Sequence, residues 1–297
     1  MSVAAAGVAK TPARGIATLA KPAEWQLALP LALAYAAFFL VPLLLLLAVS
    51  AFEDEKITVL GFANWRKFFG DPFYWKVTFD TVKLGFLTVI ATTLIGYPIA
   101  LVYLGSSPRW QRVILFIVIL PLLTSVVVRT FAWIVILGRE GVINQTVMWL
   151  GISPAPLRLL QTEVGLVMAL TQIEMPLLLL PLLSVMSRMD PNLRDASAAL
   201  GASKWRTLFK VTLPLSLPGL IAGCMLVFAS STTAFISQFV IGGNRLVYLP
   251  LLIWQQSLVV YNWPLASVAA LTLLVSVSLG VVLIATLGRR SKGYVHA

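Results

Sequence analysis

The chain has 297 residues, 59% of them apolar and 11% charged, with one cysteine, one histidine and a formal net charge of +11. Soluble domains hold roughly 45–50% apolar and 25% charged residues, so this composition excludes a self-solvating globule and points to a bilayer. Cys224 sits alone in an apolar stretch and His296 at the far C-terminal end, which leaves no disulfide framework, no Cys/His metal site and no Cys–His nucleophile.

In chain order, residues 1–26 read as a disordered basic tail. The first apolar run begins near Leu27 and is about 25 residues long, too long for the apolar core of a signal peptide, so it reads as a retained span. A helix needs about 20 apolar residues to cross a hydrocarbon core of roughly 30 Å, and six segments qualify: 27–51, 80–104, 112–137, 163–186, 214–240 and 264–288. The expected fold is all-α and polytopic, a membrane domain over 27–288 followed by a short tail, 289–297. Pro98, Pro121 and Pro176 fall inside spans and remove backbone bonds, which predicts kinked, closely packed helices. The stretch from Leu246 to Val260 is only 15 residues long and contains Pro250, Gln255 and Gln256, so it reads as a short outer-side or re-entrant helix.

Charge orients the spans. With the N-terminus inside, the inner segments carry thirteen cations against three acids (Glu24, Asp190 and Asp195), whereas the outer segments are nearly neutral. The asymmetry predicts both termini in the cytoplasm and explains the net charge as a positive-inside bias instead of a nucleic-acid surface.

Charges at membrane depth are costly and face a partner or a cavity. Arg129 and Glu174 lie about 12 and 16 Å below the outer ends of spans three and four, at ~1.5 Å per residue, close enough in depth to meet. They form either a structural ion pair or part of a pathway in which Glu174 attracts a cationic solute. Ser230, Ser231, Thr232 and Thr233, with Ser237 and Gln238, make span five the most polar. The run suits a wetted, weakly binding path or helix–helix hydrogen bonding equally. Trp254, Tyr261 and Trp263 are placed to stack a cation or to form an interfacial belt.

Between spans four and five lies DPNLRDASAALGASKWRTLFKVTLPLSLPG, beginning at Asp190 and too polar for lipid. Pro191 can open a first helix that ends near Leu200, Gly201 breaks it, and Ser203 can cap a second helix running to about Lys210. A basic amphipathic helix resting on lipid headgroups is one reading of such a loop. The segment also resembles the EAA motif of importer permeases of the ATP-binding cassette superfamily, carried here by Asp195, Ala196, Ser197, Gly201, Val211, Leu213 and Pro214. Asp for the acid, Ser for the second small residue and Val for the aliphatic are conservative departures. FANWRKFFGDPFYWKV, GYPIALVYLGSSPRWQRVILFIVILPLLTSVVVRTFAWIVILGREGVINQ and WPLASVAA extend the likeness to the spermidine/putrescine-type permease group over most of 27–288.

The resemblance implies a coupling loop over 190–210 that docks on an ATPase subunit. Arg194, Asp195, Ala196, Ser197, Ala199, Gly201, Ala202, Lys204, Arg206, Leu213 and Pro214 are its candidate residues. It further implies two copies of that ATPase, a second homologous permease or a second copy of this chain, and an extracytoplasmic solute-binding protein in a bacterial inner membrane. No G-x-x-x-x-G-K-[ST] loop occurs, so ATP and Mg are expected on the ATPase partner, with no cofactor, catalytic residue or metal ligand in this chain. The competing class, a self-sufficient secondary transporter or channel, would carry an inverted repeat with interrupted helices at matching positions, which the sequence does not display. Arg129, Glu174, Ser231, Thr232, Thr233, Gln238 and Trp254 are the candidate solute-path residues.

Overall fold

A computed structural model describes the backbone of residues 22–190 and 192–290, with side chains over 29–288 except those of Arg194 and Asn244. The expected N-terminal tail up to residue 21 and the C-terminal tail from 291 lie outside the described residues. The chain divides into two units, up to Leu46 and from Leu47 onward. Helix α1, Pro22–Ser50, takes in residues 22–26 that were expected in the tail, and its Leu29–Ser50 portion has a mean hydropathy of 2.6.

The second unit is helical among the described residues, with a single isolated bridge between Phe52 and Leu60. Helix α2 (Ala63–Gly70) leads into α3 (Pro72–Gly105), a 34-residue helix that starts eight residues before the expected span. Asp71 explains that start: its carboxylate accepts the Phe73 N–H at 2.8 Å, and Pro72 occupies the first turn, where no donor is needed.

The expected third span, 112–137, is two helices and not one. Helix α4 (Pro108–Ile119) tightens into a 3₁₀ turn at Leu120–Leu123, and α5 (Val126–Leu137) departs after Thr124 and Ser125 at 100° to it. Pro121 stands in that turn, so the ladder lacks a donor where it breaks. After α6 (Val142–Trp149) comes α7 (Glu163–Met186), opened by Thr162, whose hydroxyl accepts the Gly165 N–H at 3.2 Å.

Two short helices follow, α8 (Asn192–Ala199) and α9 (Lys204–Thr207). The second does not stop at Lys210 as expected. It passes through a π turn, Leu208–Thr212, into α10 (Leu213–Thr233), so Lys204–Thr233 is one 30-residue helix. Pro214 cannot donate to the Lys210 carbonyl, and the Leu213 N–H reaches back five residues to Leu208 O, the bond that defines the wide turn.

Span five also ends earlier than expected, breaking at Ala234 before the three-residue helix α11 (Phe235–Ser237) and a π turn, Gln238–Gly242. Helix α12 (Leu249–Trp254) continues as a π turn to Val259. Its Leu249, Leu251 and Leu252 are buried, and Leu249 and Leu252 pack with Phe68, Tyr74, Leu265 and Val268, so this segment is an internal prop. Helix α13 (Trp263–Arg290) closes the chain. Five helices among the described residues are long and apolar enough to cross a membrane, and six when the bent α4–α5 pair counts as one.

The bundle centre is α7 against α3 and α10, with α13 behind α10. Gly219 and Gly223 set the closest approach: a Cβ at either would come within 2.7 Å of a backbone oxygen of α7, Pro181 O or Leu178 O. Small residues at such a crossing let two backbones pack with no side chain between them, the chief source of helix attraction in lipid.

Candidate transport site

Two regions stand out, one at the end of the bundle and one inside it. At the end, Asp190 Oδ1 accepts the Asn192 N–H at 2.9 Å and starts α8. Gly201 stops it with φ +77°; the Gly201 N–H reaches Ala198 O at 2.9 Å and the Ala202 N–H reaches Ser197 O at 3.1 Å. This pair of bonds is the left-handed helix stop that glycine adopts without strain. Ser203 then caps α9, its hydroxyl accepting the Arg206 N–H at 3.3 Å.

The two helices are joined by a hydrogen bond between the hydroxyls of Ser197 and Thr207 at 2.9 Å, a contact that the sequence reading missed for Thr207. Asp195, Ala196, Ala199, Lys204 and Arg206 are exposed, Ala202 is half-buried, and the Arg194 side chain lies outside the described residues. Leu200 is 89% exposed and Trp205 71%, large apolar groups presented beside charged ones. Leu213 and Pro214 lie half-buried at the root of α10. Beneath α8 and α9 is a cavity of about 810 Å³ whose walls include Asp195, Lys204, Met186 and Leu104.

Inside the bundle, a second cavity of about 510 Å³ lies where the two broken spans meet. Leu122 and Val126 flank the α4–α5 break, Thr233 to Ser237 carry the span-five break, and Arg129, Glu174 and Ser230 complete the polar lining. Glu174 is 5% exposed. Arg129 and Glu174 share this cavity but form no ion pair within 4.0 Å; among the described residues only Lys83 pairs, with Asp80 and Glu163. Arg129 Nη1 instead donates to Ile173 O at 3.2 Å, and its Nε is buried without a partner.

The polar run of span five divides. Ser230 and Thr233 line the cavity, whereas Ser231 and Thr232 are fully buried and donate back to Phe228 O. Gln238 is also buried, and its Nε2 donates to Ser231 O at 3.1 Å and Thr232 O at 3.2 Å, carbonyls whose helical donors are lost at the Ala234 break. Trp254 packs its ring near Phe235 (5.9 Å), itself a lining residue, and Phe239 (5.4 Å), behind the cavity wall. Those four residues are not among the ones that line the cavity. Ser237 joins the lining, bonded to Thr130 at 3.1 Å.

A multi-pass bundle with two interrupted spans around a cavity that holds a few polar groups in a largely apolar wall, and an exposed helix pair at one end, has the organisation of a membrane permease subunit. The chain belongs to the family of binding-protein-dependent transport system inner membrane components, whose model matches residues 92–293. It is thus a multi-pass inner-membrane permease of the importers that this family serves. The spermidine/putrescine transport system permease protein PotB of Haemophilus influenzae is 32% identical over 246 residues, 82% of this chain and 86% of that protein. The Escherichia coli K12 protein of the same name is 30% identical over 70% of this chain and 76% of its own length. A bacterial alginate ABC transporter in complex with alginate pentasaccharide-bound periplasmic protein matches with a TM-score of 0.75 and 16% identity, covering 91% of this chain and 95% of that one, which shows the fold alone.

Proposed function

We propose that this chain forms a transmembrane path for a small solute, a polyamine or similar, delivered by an extracytoplasmic binding protein and moved inward by alternating access. The names of the relatives at about 30% identity support the cargo class. ATP hydrolysis belongs to two copies of a separate ATPase subunit, and a second permease, homologous or identical, completes the path. Both termini and the α8–α9 pair face the cytoplasm, in keeping with the positive-inside charge bias.

One observation carries the coupling role: α8 and α9 project Leu200 and Trp205 into solvent among exposed Asp195, Lys204 and Arg206, on a stem continuous with α10. Exposed large apolar groups rimmed by charge mark a protein interface. A pair that merely rested on lipid headgroups would need no mechanical continuity with a span. The test is disulfide trapping: a cysteine at Ala199, with Cys224 replaced, should crosslink to a cysteine in the ATPase and freeze uptake. Crosslinking that never forms in an ATP-driven, transporting complex would remove the coupling role.

A further inference from the structure

We propose that the cavity at the two broken spans is a station for the solute within the membrane, and that Glu174 is its ammonium subsite. This rests on the import reading above and names the chemistry of the site. Glu174, on α7, is 5% exposed and lines the cavity, and its carboxylate has no cation within 4.0 Å among the described residues. A carboxylate so buried is stabilised by a counter-charge or by donors; here Ser230 is its one hydroxyl donor, and Arg129, which donates to Ile173 O at 3.2 Å, acts on it from beyond ion-pair distance, so there is room for a further cation.

The Ser230 hydroxyl is hydrogen-bonded to the Glu174 carboxylate, and the other hydroxyls of the lining have spent their protons. Thr233 Oγ1 donates to Ala229 O at 2.8 Å. Thr130 Oγ1 donates to Val126 O at 2.8 Å, so the 3.1 Å contact between Thr130 and Ser237 uses the Ser237 proton. Thr233 and Ser237 therefore face the cavity with lone pairs alone, beside an acceptor-only carboxylate. Such a lining takes a solute rich in donors, and an ammonium group carries three.

The volume of about 510 Å³ accommodates a small linear amine with water around it, within the range of roughly 300–1,000 Å³ for small-molecule sites. Arg129 on the same wall keeps the cavity close to neutral, so an amine entering it is held weakly enough to leave inward, as conduction requires.

The experiment uses the complete importer, with its ATPase, second permease and binding protein, in liposomes, and measures ATP-driven uptake of putrescine and spermidine. Glu174→Gln should lower uptake at saturating loaded binding protein at least tenfold, and Glu174→Asp should recover part of it. Unchanged rate and affinity in Glu174→Gln overturn the proposal. Should that variant fail to assemble, Leu177→Trp, which fills the cavity, should also cut uptake, and unimpaired uptake there overturns the station. ATP-driven uptake confined to anionic or uncharged solutes removes the ammonium subsite and leaves the import reading standing. A complete complex that drives no solute at all overturns the import reading itself.

Discussion

Ser197 Oγ and Thr207 Oγ1 meet at 2.9 Å across the Gly201 break, so α8 is fastened to the stem that runs into α10. The Ser at the second small position of the motif thereby gains a partner that a plain methyl side chain would lack. A half-buried hydrogen bond contributes about 0.5–1.5 kcal/mol net, so Ser197→Ala and Thr207→Val should each lower solute moved per ATP hydrolysed by about two- to tenfold. Ser197→Thr keeps the hydroxyl and should keep the ratio. Paired uptake and phosphate-release assays on the reconstituted complex check this; equal ratios in all four proteins would make the bond incidental.

Gly201 holds φ +77° in open space, with nothing within 4 Å of a would-be Cβ. Replacement therefore strains the backbone without a clash, at about 1–2 kcal/mol for an L side chain in the left-handed region. Gly201→Val should reduce coupled uptake sharply, because the α8–α9 angle relaxes, whereas Gly201→Asn, which tolerates this conformation, should retain most of it. Uptake normalised to ATPase co-purification separates a lost angle from lost docking.

At Gly223 the outcome is different in kind. A Cβ there meets Leu178 O at 2.7 Å and Leu178 Cα at 3.0 Å, backbone atoms that cannot rotate away. Gly223→Val forces α7 and α10 apart at about 1–3 kcal/mol or more, and a thermal unfolding scan in detergent should show a fall of several degrees in Tm. Gly70→Ala, with nothing within 4 Å, should leave the midpoint in place.

The loop before α2 has a pH-sensitive lock. The Thr58 hydroxyl donates to Asp54 Oδ2 at 2.6 Å and the Thr58 and Val59 N–H groups donate to Oδ1 at 2.9 and 2.7 Å, holding the Asp54 pKa at about 2 against an ordinary 3.8, with the Thr58 hydroxyl the largest cause. Because the folded value lies below the unfolded one, the lock is complete above 3.8 and is lost as pH falls through about 2. Hydrogen exchange of residues 51–62 should rise across that window after correction for intrinsic rates. Thr58→Val should move the rise to higher pH, and Asp54→Asn should abolish it.

Much of this molecule was legible beforehand because hydropathy and charge are one-dimensional signals. Apolar length located α1, α3, α7, α10 and α13. The order of Gly201 and Ser203 foretold a stop and a cap, since both are made by residues two or three places apart, whereas Pro191, expected to open the first helix, lies outside the described residues. The same locality made Pro250 and two glutamines enough to reject α12 as a span.

What the sequence alone determined, then, is a multi-pass helical protein with a two-helix projection before its fifth span. Only the tertiary structure decided the breaks at Thr124–Ser125 and Ala234, because an apolar run reads alike whether straight or bent and a break is tolerated only where neighbours absorb its free backbone groups. It likewise separated Ser230 and Thr233, which face the cavity, from Ser231 and Thr232, which bond back to Phe228 O, since adjacent residues on a helix point in different directions. Arg129 and Glu174 could be matched in depth from the sequence, but that both line one cavity without an ion pair, with Arg129 donating to Ile173 O, depends on how α5 and α7 are rotated against each other.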